Sequence, residues 1–272
     1  MLGGRGFLIS TASTIAFFVI VGLIILLAPG SDIVAERFFD WTHLKQAFVG
    51  TAGSPSVAEA FLVNVRMFLI AEVFILILGL LIAVIRGIPG PVFFPFRAVA
   101  IAFTDLFRGV PLILVLYMIG FGIPGLGLKF VSNRSEITYG IVALVLVYSA
   151  YVAEVYRAGI DSVHDSQTAA ARSLGLSRWH ALRFVVLPQA IRRVIPPLLN
   201  DFIGLQKDTA LVSVLGSVEA ARAAQIYGAE QFNYASYVIA ALLFVAVTIP
   251  LARFTDHLIK RDRRRRASGF AT

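Results

Sequence analysis

The amino-acid sequence predicts an all-α membrane protein with about six transmembrane helices. Of its 272 residues, 58% are hydrophobic and 15% are charged, and the mean hydropathy is +0.83. A soluble domain of this length is less apolar and carries more charge. The apolar residues also form long continuous runs, and basic residues are concentrated between alternate runs. Lipid is therefore the solvent that this composition fits.

Each long apolar run is close to the length that spans a bilayer, because a helix needs about 20 residues to cross roughly 30 Å of hydrocarbon. Continuous runs of Leu, Ile, Val, Ala and Phe do not fit the short alternating strands of a membrane barrel. The predicted spans lie near Phe7 to Ala28, Met67 to Ile85, Ala98 to Phe121, Ile137 to Val155, Val194 to Gly216 and Tyr234 to Ala252.

The first run resembles a signal peptide in having Arg5 before it, but it is too long for such a segment, and Ala28-Pro29 is a poor cleavage site. We therefore predict an N-terminal transmembrane helix. The polar stretch after it, up to residue 60, is expected outside the membrane, where it has the composition of a short surface helix. Residues 1–60 form the first predicted region of the chain.

The distribution of Lys and Arg predicts that both termini are cytoplasmic, because positively charged loops stay inside. This orientation places Arg86, Arg97, the arginines of residues 157–193 and the tail at 259–272 on the inner side. It also accounts for the net charge of +8. Directly after a membrane helix, the basic stretch "KRDRRRR" is expected to meet anionic lipid headgroups, so no nucleic-acid partner is predicted.

The inner loop at residues 158–193 carries ordered helix signals. Asp165 or Ser166 is suited to cap a first helix, and Gly175 supplies the left-handed residue that ends it. Ser177 is suited to cap a second helix, which Pro188 is expected to stop. Small or basic residues on the first helix let another protein approach closely, which indicates a docking loop. The residues expected to face back onto the bundle are Leu174, Leu176, Trp179 and Leu182.

This loop resembles the signature of permease subunits of ATP-binding-cassette importers. That signature has a Glu-Ala-Ala triplet, a glycine four residues later, and an apolar residue and Leu-Pro about ten residues further on. Here the triplet falls on residues 169–171, the glycine on Gly175, and the end on Val185 and Leu187-Pro188. Residues 64–86, 105–124, 151–163 and 187–216 resemble the polar amino-acid branch of the same family, so the likeness covers about 61–258.

The resemblance implies a five-helix type I importer permease core at residues 61–258, with an additional N-terminal helix before it. It implies a multi-pass protein of the bacterial cytoplasmic membrane that pairs with a second permease subunit, as a homodimer or a heterodimer. Two separate ATPase subunits would bind ATP and magnesium, and an extracytoplasmic solute-binding protein would deliver the ligand. The chain itself is then expected to be no enzyme and to hold no cofactor.

The resemblance also assigns ATPase coupling to part of the inner loop. One position departs from the family pattern, since Ala169 stands where the family usually has Glu. Either the arginines take over the docking, or the partner permease supplies the acidic residue. The predicted coupling residues are Gln167, Ala169, Ala170, Arg172, Gly175, Arg178, Leu187 and Pro188.

Ionisable residues within the spans are expensive in lipid unless they meet a partner or a wet cavity. Asp105 and Arg108 are three residues apart, and so are Glu154 and Arg157, which we expect to brace the inner loop. An amino-acid zwitterion needs a cation and an anion, which suits a pathway lining; mutual neutralisation within the bundle is equally consistent. The candidate pathway residues are Asp105, Arg108, Asn200, Lys207 and Asp208.

Other classes of function have less support. Tyr148 and Tyr151 are interpreted as packing residues, and the scattered histidines have no metal-binding spacing. The chain has no phosphate-binding loop. The alternative is an ion-coupled secondary amino-acid transporter acting alone, but no inverted repeat is visible. The predicted function is a permease subunit for polar amino acids, among which the acidic ones, glutamine and the basic ones remain open.

Overall fold

The computed structural model describes residues 4–268, and every regular element in this range is helical. Two π-helical segments, Met118–Gly122 and Leu182–Val186, and a 3-10 segment, Thr209–Leu215, interrupt the α-helices. The helices are α1 Gly4–Leu27, α2 Ser31–Phe39, α3 Trp41–Val49, α4 Val57–Gly87, α5 Phe94–Gly109, α6 Leu112–Tyr117, α7 Ile123–Gly125, α8 Glu136–Asp161, α9 Asp165–Ser173, α10 Arg178–Ala181, α11 Leu187–Asp208, α12 Ala220–Gln231 and α13 Ala235–Ser268.

The all-α membrane class is confirmed. Helices α4, α8 and α13 are each long and apolar enough to cross a bilayer, and α5 together with the helices after it forms a fourth, bent candidate. Within α1, residues Ile9–Ile24 form a shorter apolar helix. The predicted number of six spans therefore stays a prediction. The end of the predicted basic tail, residues 269–272, lies outside the described residues.

The third predicted span, Ala98 to Phe121, is not one straight helix. The chain bends by 107° between α5 and the helices that follow it. Val110 takes an extended conformation, with φ −95° and ψ 130°, because the ring of Pro111 disfavours helical geometry at the residue before it. Pro111 also has no N–H to continue the helical ladder. The break therefore lies in the middle of the segment that the apolar pattern alone had joined.

The main core forms where α4 packs against α8 and where α8 packs against the end of α11 and the 3-10 segment. Met67, Ile75 and Leu144 are fully buried there. Glycines bring the helices close together, since a β-carbon at Gly140 would overlap the side chain of Val212. Small residues at helix contacts are the usual means of tight packing in lipid, where burial of apolar surface does not drive helices together.

The polar stretch after α1 forms two short helices, α2 and α3, that pack against α12 and α13. The Nδ1 atom of His43 lies 2.8 Å from the hydroxyl of Tyr227, and that hydroxyl donates to the amide oxygen of Gln46 at 3.1 Å. Arg37 donates to the carbonyl of Phe232 at 2.7 Å. This N-terminal extension is therefore fixed to the rest of the bundle through specific polar contacts.

We expect Gly140→Ala to lower thermal stability, because the added methyl group meets Val212 in a filled core; overpacking of this kind costs about 1–3 kcal/mol. The matched control is Gly122→Ala, since a β-carbon there would meet no atom within 4 Å. The measurement is thermal unfolding of the purified protein in detergent. Equal melting temperatures for the two variants would show that the α8 contact is not tightly packed.

Candidate translocation cavity and docking loop

A cavity of about 440 Å³ opens where the bend after α5 faces α8 and α11. Its size is within the range of small-molecule sites, about 300–1,000 Å³. Three of the five predicted pathway residues line it: Arg108, Asn200 and Asp208. The complete lining is Arg108, Gly109, Val110, Pro111, Leu112, Val147, Tyr148, Tyr151, Asn200, Asp201, Gly204 and Asp208.

Local structure explains why these side chains meet. Arg108 lies in the last turn of α5 and is carried to the cavity by the bend at Pro111. Asp201 and Asp208 are seven residues apart on α11, which places them on one face about two turns apart. The hydroxyl of Tyr148 on α8 donates to Oδ2 of Asp208 at 2.8 Å. The cavity thus joins one guanidinium and two carboxylates, with a tyrosine hydroxyl from a third helix.

Asp105 and Lys207 do not line the cavity, contrary to the prediction. Both are exposed, and within the described part of the chain no ion pair joins Asp105 to Arg108. The guanidinium of Arg108 instead lies 3.8 Å from Glu154. Lys207 differs from its neighbour Asp208 because consecutive helical residues point about 100° apart. On each of these two helices, sequence spacing thus selected one residue that lies outside this cavity.

Glu154 and Arg157, which were predicted to brace the inner loop, have different ion-pair partners. Glu154 forms an ion pair with Arg86 of α4, whereas Arg157 lies 3.5 Å from Asp161, one turn further along α8. Arg86 also donates to the hydroxyl of Thr104 at 2.8 Å. Glu154 faces α4 and α5, so its contacts run across the bundle, while the contact of Arg157 remains within α8. Bracing of the inner loop by these residues remains a prediction without a direct contact.

Two tyrosines and one aspartate also line the cavity, although none of them was among the candidate pathway residues. Tyr148 and Tyr151 were assigned to packing, yet both line the cavity. The ring of Tyr151 has the Arg108 guanidinium 6.0 Å from its centroid. One carboxylate oxygen of Asp201 is buried and has no hydrogen-bond partner among residues 4–268. The seven-residue spacing of Asp201 and Asp208 was the one available signal in the sequence.

The charges of the cavity suit a zwitterion. A guanidinium presents a planar pair of donors that matches a carboxylate. Asp201 lines the cavity, and its carboxylate is an acceptor that suits an ammonium group. Asp208 has one oxygen engaged by Tyr148, so its orientation is fixed. The site can therefore hold both charged ends of a free amino acid.

The inner loop at residues 158–193, which is the predicted docking loop, contains the predicted pair of short helices, α9 and α10. His164, not Asp165 or Ser166, caps α9, and its ring accepts from the Ser166 N–H at 3.2 Å. At the other end Gly175 has φ +86°, as predicted. The Leu176 N–H donates to the Ala171 carbonyl at 3.2 Å and the Gly175 N–H to the Arg172 carbonyl at 3.0 Å. These two bonds form a Schellman turn, which fixes the angle between the helices.

The second helix of the loop runs further than predicted. Ser177 caps α10 as expected and accepts from the His180 N–H at 3.2 Å. Pro188, however, does not stop the helix. It lies in the first turn of α11, directly after the π-helical segment 182–186, where a proline needs no N–H donor. The chain is therefore helical from the docking loop to Asp208 on the cavity wall.

Leu174 and Trp179 do not face back onto the bundle. Leu174 is 84% exposed and Trp179 is 62% exposed, whereas Leu176 and Leu182 are half-buried. Leu174 is the C-cap residue of α9, and Ala171 is the residue of α9 that is buried against the bundle. The loop thus presents apolar and basic groups together. The predicted coupling residues Gln167, Ala169, Ala170, Arg172, Gly175 and Arg178 are all exposed, while Leu187 is half-buried and Pro188 is exposed.

Comparison with known proteins establishes the family. Residues 75–264 match the model of the family described as binding-protein-dependent transport system inner membrane component. The chain belongs to this family. It is a multi-pass membrane protein, and its family membership favours the transport-subunit interpretation over a secondary transporter that acts alone. The first 74 residues, which include the N-terminal extension, lie outside the matched range.

The names of three similar proteins refer to the transport of amino acids. The chain is 35% identical to the probable amino-acid permease protein YxeN of Bacillus subtilis, over 77% of this chain and 90% of that protein. It is also 35% identical to the probable glutamine ABC transporter permease protein GlnM of the same organism, over 68% and 83%. The crystal structure of an amino acid ABC transporter with histidines has 32% identity and a TM-score of 0.69, over 75% of this chain and 93% of that one.

We expect Arg86→Met to destabilise the protein far more than Arg157→Met. The Arg86 side chain is 8% exposed, and its loss leaves the half-buried Glu154 with only the Arg108 guanidinium, 3.8 Å away; breaking a fully buried pair costs about 3–5 kcal/mol, which is the upper limit here. Arg157 is half-buried and Asp161 is exposed, and a pair that is open to solvent in this way contributes less than about 1 kcal/mol. Thermal unfolding in detergent compares the variants. A similar loss of stability in both would mean that Glu154 is adequately solvated.

Proposed function

We propose that the chain is the membrane-spanning permease subunit of an ATP-driven importer of polar amino acids. The observation that carries this proposal is the placement of two sites on one helix. α11 begins beside the docking loop and ends at Asp208 in the cavity wall. Its 22 residues span about 33 Å at 1.5 Å per residue. A movement of the loop would therefore reach the cavity directly.

The cavity would hold the amino acid by both of its charged ends. In this arrangement Arg108 binds the carboxylate through paired N–H donors, and the carboxylate of Asp201 accepts from the ammonium group. Asp208, oriented by Tyr148, and Asn200 are left to meet the side chain. Two carboxylates face one guanidinium here, so neutral and basic side chains are favoured over acidic ones. The name of the glutamine permease among the relatives agrees with a neutral polar substrate.

The inner loop would dock onto a separate ATPase subunit, where ATP and magnesium are bound. Leu174 and Trp179 supply exposed apolar surface, and Arg172 and Arg178 supply positive charge around it. Such a surface fits an apolar groove with an acidic rim, since buried aromatic and arginine side chains dominate protein interfaces. This would compensate for Ala169, where the family usually carries a glutamate.

The remaining parts of the assembly follow from the same proposal. A second permease, identical or paralogous, completes the pathway, and an extracytoplasmic solute-binding protein delivers the amino acid. The chain would reside in the bacterial cytoplasmic membrane with both termini inside, as the excess of inner arginines requires. The basic tail would then lie against anionic headgroups.

We expect Asp208→Asn and Arg108→Gln each to reduce uptake by at least about tenfold, because a hydrogen bond to a charged group contributes about 1.5–3 kcal/mol. Uptake is measured in proteoliposomes that contain the assembled transporter and its binding protein. The probes are radiolabelled L-glutamine, L-glutamate, L-arginine and L-histidine. Lys207→Gln is the control, because Lys207 is exposed and outside the cavity lining. Normal uptake in both cavity variants would contradict the assignment of the site.

We expect Gly175→Val to uncouple ATP hydrolysis from uptake and to leave membrane insertion intact. A side chain with φ +86° is strained by about 1–2 kcal/mol, and about 1.4 kcal/mol corresponds to a tenfold change in the population of the ordered turn. Gly127→Val imposes the same kind of backbone strain, at φ +65°, in a loop predicted outside the membrane. Ligand-stimulated ATPase activity and uptake are measured for both. Undiminished coupling in Gly175→Val would remove the loop from the mechanism.

A further inference from the structure

A buried polar cluster joins α4, the 3-10 segment and α12, close to the cavity but outside its lining. Asn64 is 1% exposed, and Thr209 and Glu219 are fully buried. Polar and charged groups are costly to bury unless hydrogen bonds replace their water. Hydrogen bonds must therefore offset the cost of burying this cluster in an apolar bundle. They also show which segments the cluster joins.

The side-chain amide of Asn64 is the centre of the cluster. Its Nδ2 atom donates to Oε2 of Glu219 at 2.8 Å and to the hydroxyl of Thr209 at 3.1 Å. Its Oδ1 atom accepts from the Ala220 N–H at 3.0 Å. Both donor hydrogens and the acceptor are thus engaged, so one asparagine on α4 ties together the two ends of the turn at residues 209–220.

Glu219 caps α12 as well as accepting from Asn64. Its carboxylate accepts from the Ala221 N–H at 3.0 Å and from the Arg222 N–H at 2.8 Å. A negative charge at the start of a helix is stabilised by the free N–H groups and the helix dipole. Burial raises the pKa of Glu219, and these hydrogen bonds act in the opposite direction. The charged form of the Glu219 carboxylate is therefore stabilised by all three donors together: the Asn64 amide and the N–H groups of Ala221 and Arg222.

The cluster is connected to the cavity through a single peptide bond. Thr209, which Asn64 holds, directly follows Asp208, and the Thr209 hydroxyl also donates to the carbonyl of Gln206 at 2.7 Å. The chain changes from α-helix to 3-10 helix between Asp208 and Thr209. Tyr148 contacts Asp208 from the cavity side, while Asn64 holds the change of helix from the α4 side. Tyr148 thus contacts the Asp208 carboxylate directly, and Asn64 holds the side chain of the residue that follows it.

We propose that Asn64 and Glu219 are positioning residues that hold the Asp208 carboxylate in its substrate-binding orientation. The inference rests on the proposed function, because it takes Asp208 as a contact of the transported amino acid. Asn64 and Glu219 act through Thr209 and do not touch the substrate. Their part is to fix the end of α11 against α4 and α12, so that the cavity is ready when the ligand arrives.

The first test exchanges the two functional groups. Asn64→Asp sets a carboxylate against the Glu219 carboxylate, and Glu219→Gln replaces one of the two oxygens that accept from Asn64, Ala221 and Arg222 with an amide donor. The double variant restores one donor and one acceptor, because the new glutamine amide on the α12 side can donate to the new aspartate carboxylate on α4. We expect each single variant to weaken amino-acid binding about tenfold, as for loss of a charged hydrogen bond, and the double variant to recover only part of that loss, because the acceptor-only aspartate restores the contact with residue 219 but no longer donates to Thr209.

Binding is measured by scintillation proximity on the purified complex of permease and ATPase without the solute-binding protein, so that the affinity reports the membrane site. The same four radiolabelled amino acids are the probes. Thr209→Val provides a milder variant, since it removes only the hydroxyl and keeps the shape of the side chain. We expect it to weaken binding without altering the maximal ATPase rate, whereas general damage to the fold would lower both.

The second test asks whether the pair acts through Asp208. In an Asp208→Asn background, Glu219→Gln should cause no further loss of binding, because coupled residues are not additive. The control is Ser236→Ala, which removes another fully buried hydrogen bond, from Ser236 to the Ala224 carbonyl at 2.7 Å. This bond lies away from the start of α12, so its loss should change stability but leave binding unchanged.

The outcomes separate the two proposals. If Asp208→Asn leaves binding unchanged, the substrate site itself is wrong, and the positioning role falls with it. If Asp208→Asn weakens binding but the losses from Glu219→Gln add to it, or the exchanged pair recovers nothing, only the positioning role is overturned. An equal effect of Ser236→Ala on binding would assign the cluster to stability alone.

Discussion

The rest of the structure depends on the break between Gly109 and Leu112. Backbone N–H and C=O groups cannot be left without partners in hydrocarbon, so non-helical backbone at membrane depth is tolerated only where it is enclosed by protein or lines a cavity. The 107° bend meets this condition, because Gly109, Val110 and Pro111 all line the cavity. A proline at this position thus creates the space, ends α5 just after Arg108 and brings the guanidinium to a site that carboxylates from α11 also line.

α11 connects the cavity mechanically to the inner loop. It begins at Leu187 beside the docking loop, continues through Pro196 and Pro197, and ends at Asp208. Because the π-helical segment lies directly before α11, the chain is helical without interruption from the inner loop to Asp208. At its far end, hydrogen bonds from α4 and α8 hold the change to 3-10 helix. A helix with one end at the proposed binding site and the other at the proposed docking surface can carry motion between them.

The charged residues of the bundle divide into two groups by what they contact. Arg86 and Glu154 neutralise each other between helices, a role that requires burial and an ion pair. Asp201 keeps a buried oxygen without a partner among the described residues, and Arg108 lies at the edge of an open cavity. The spacing of charges along the chain left structural neutralisation and pathway lining equally open. The structure has the Arg86–Glu154 ion pair between helices and Asp201 and Asp208 at the cavity, while Arg108 lines the cavity and also lies 3.8 Å from Glu154.

Local features of the chain were enough to predict the membrane class, the two short helices of the inner loop and their Gly175 turn, because apolar length, arginine distribution and helix caps depend on neighbouring residues. The same features placed Arg108, Asn200 and Asp208 at the cavity, since polar residues in apolar helices are conspicuous. Other outcomes depend on the angle at which one helix meets another, and that angle is set by packing between segments far apart in the chain. Only the tertiary structure could therefore decide that Asp105 and Lys207 are outside the cavity, that Glu154 pairs with Arg86, and that Leu174 and Trp179 are exposed.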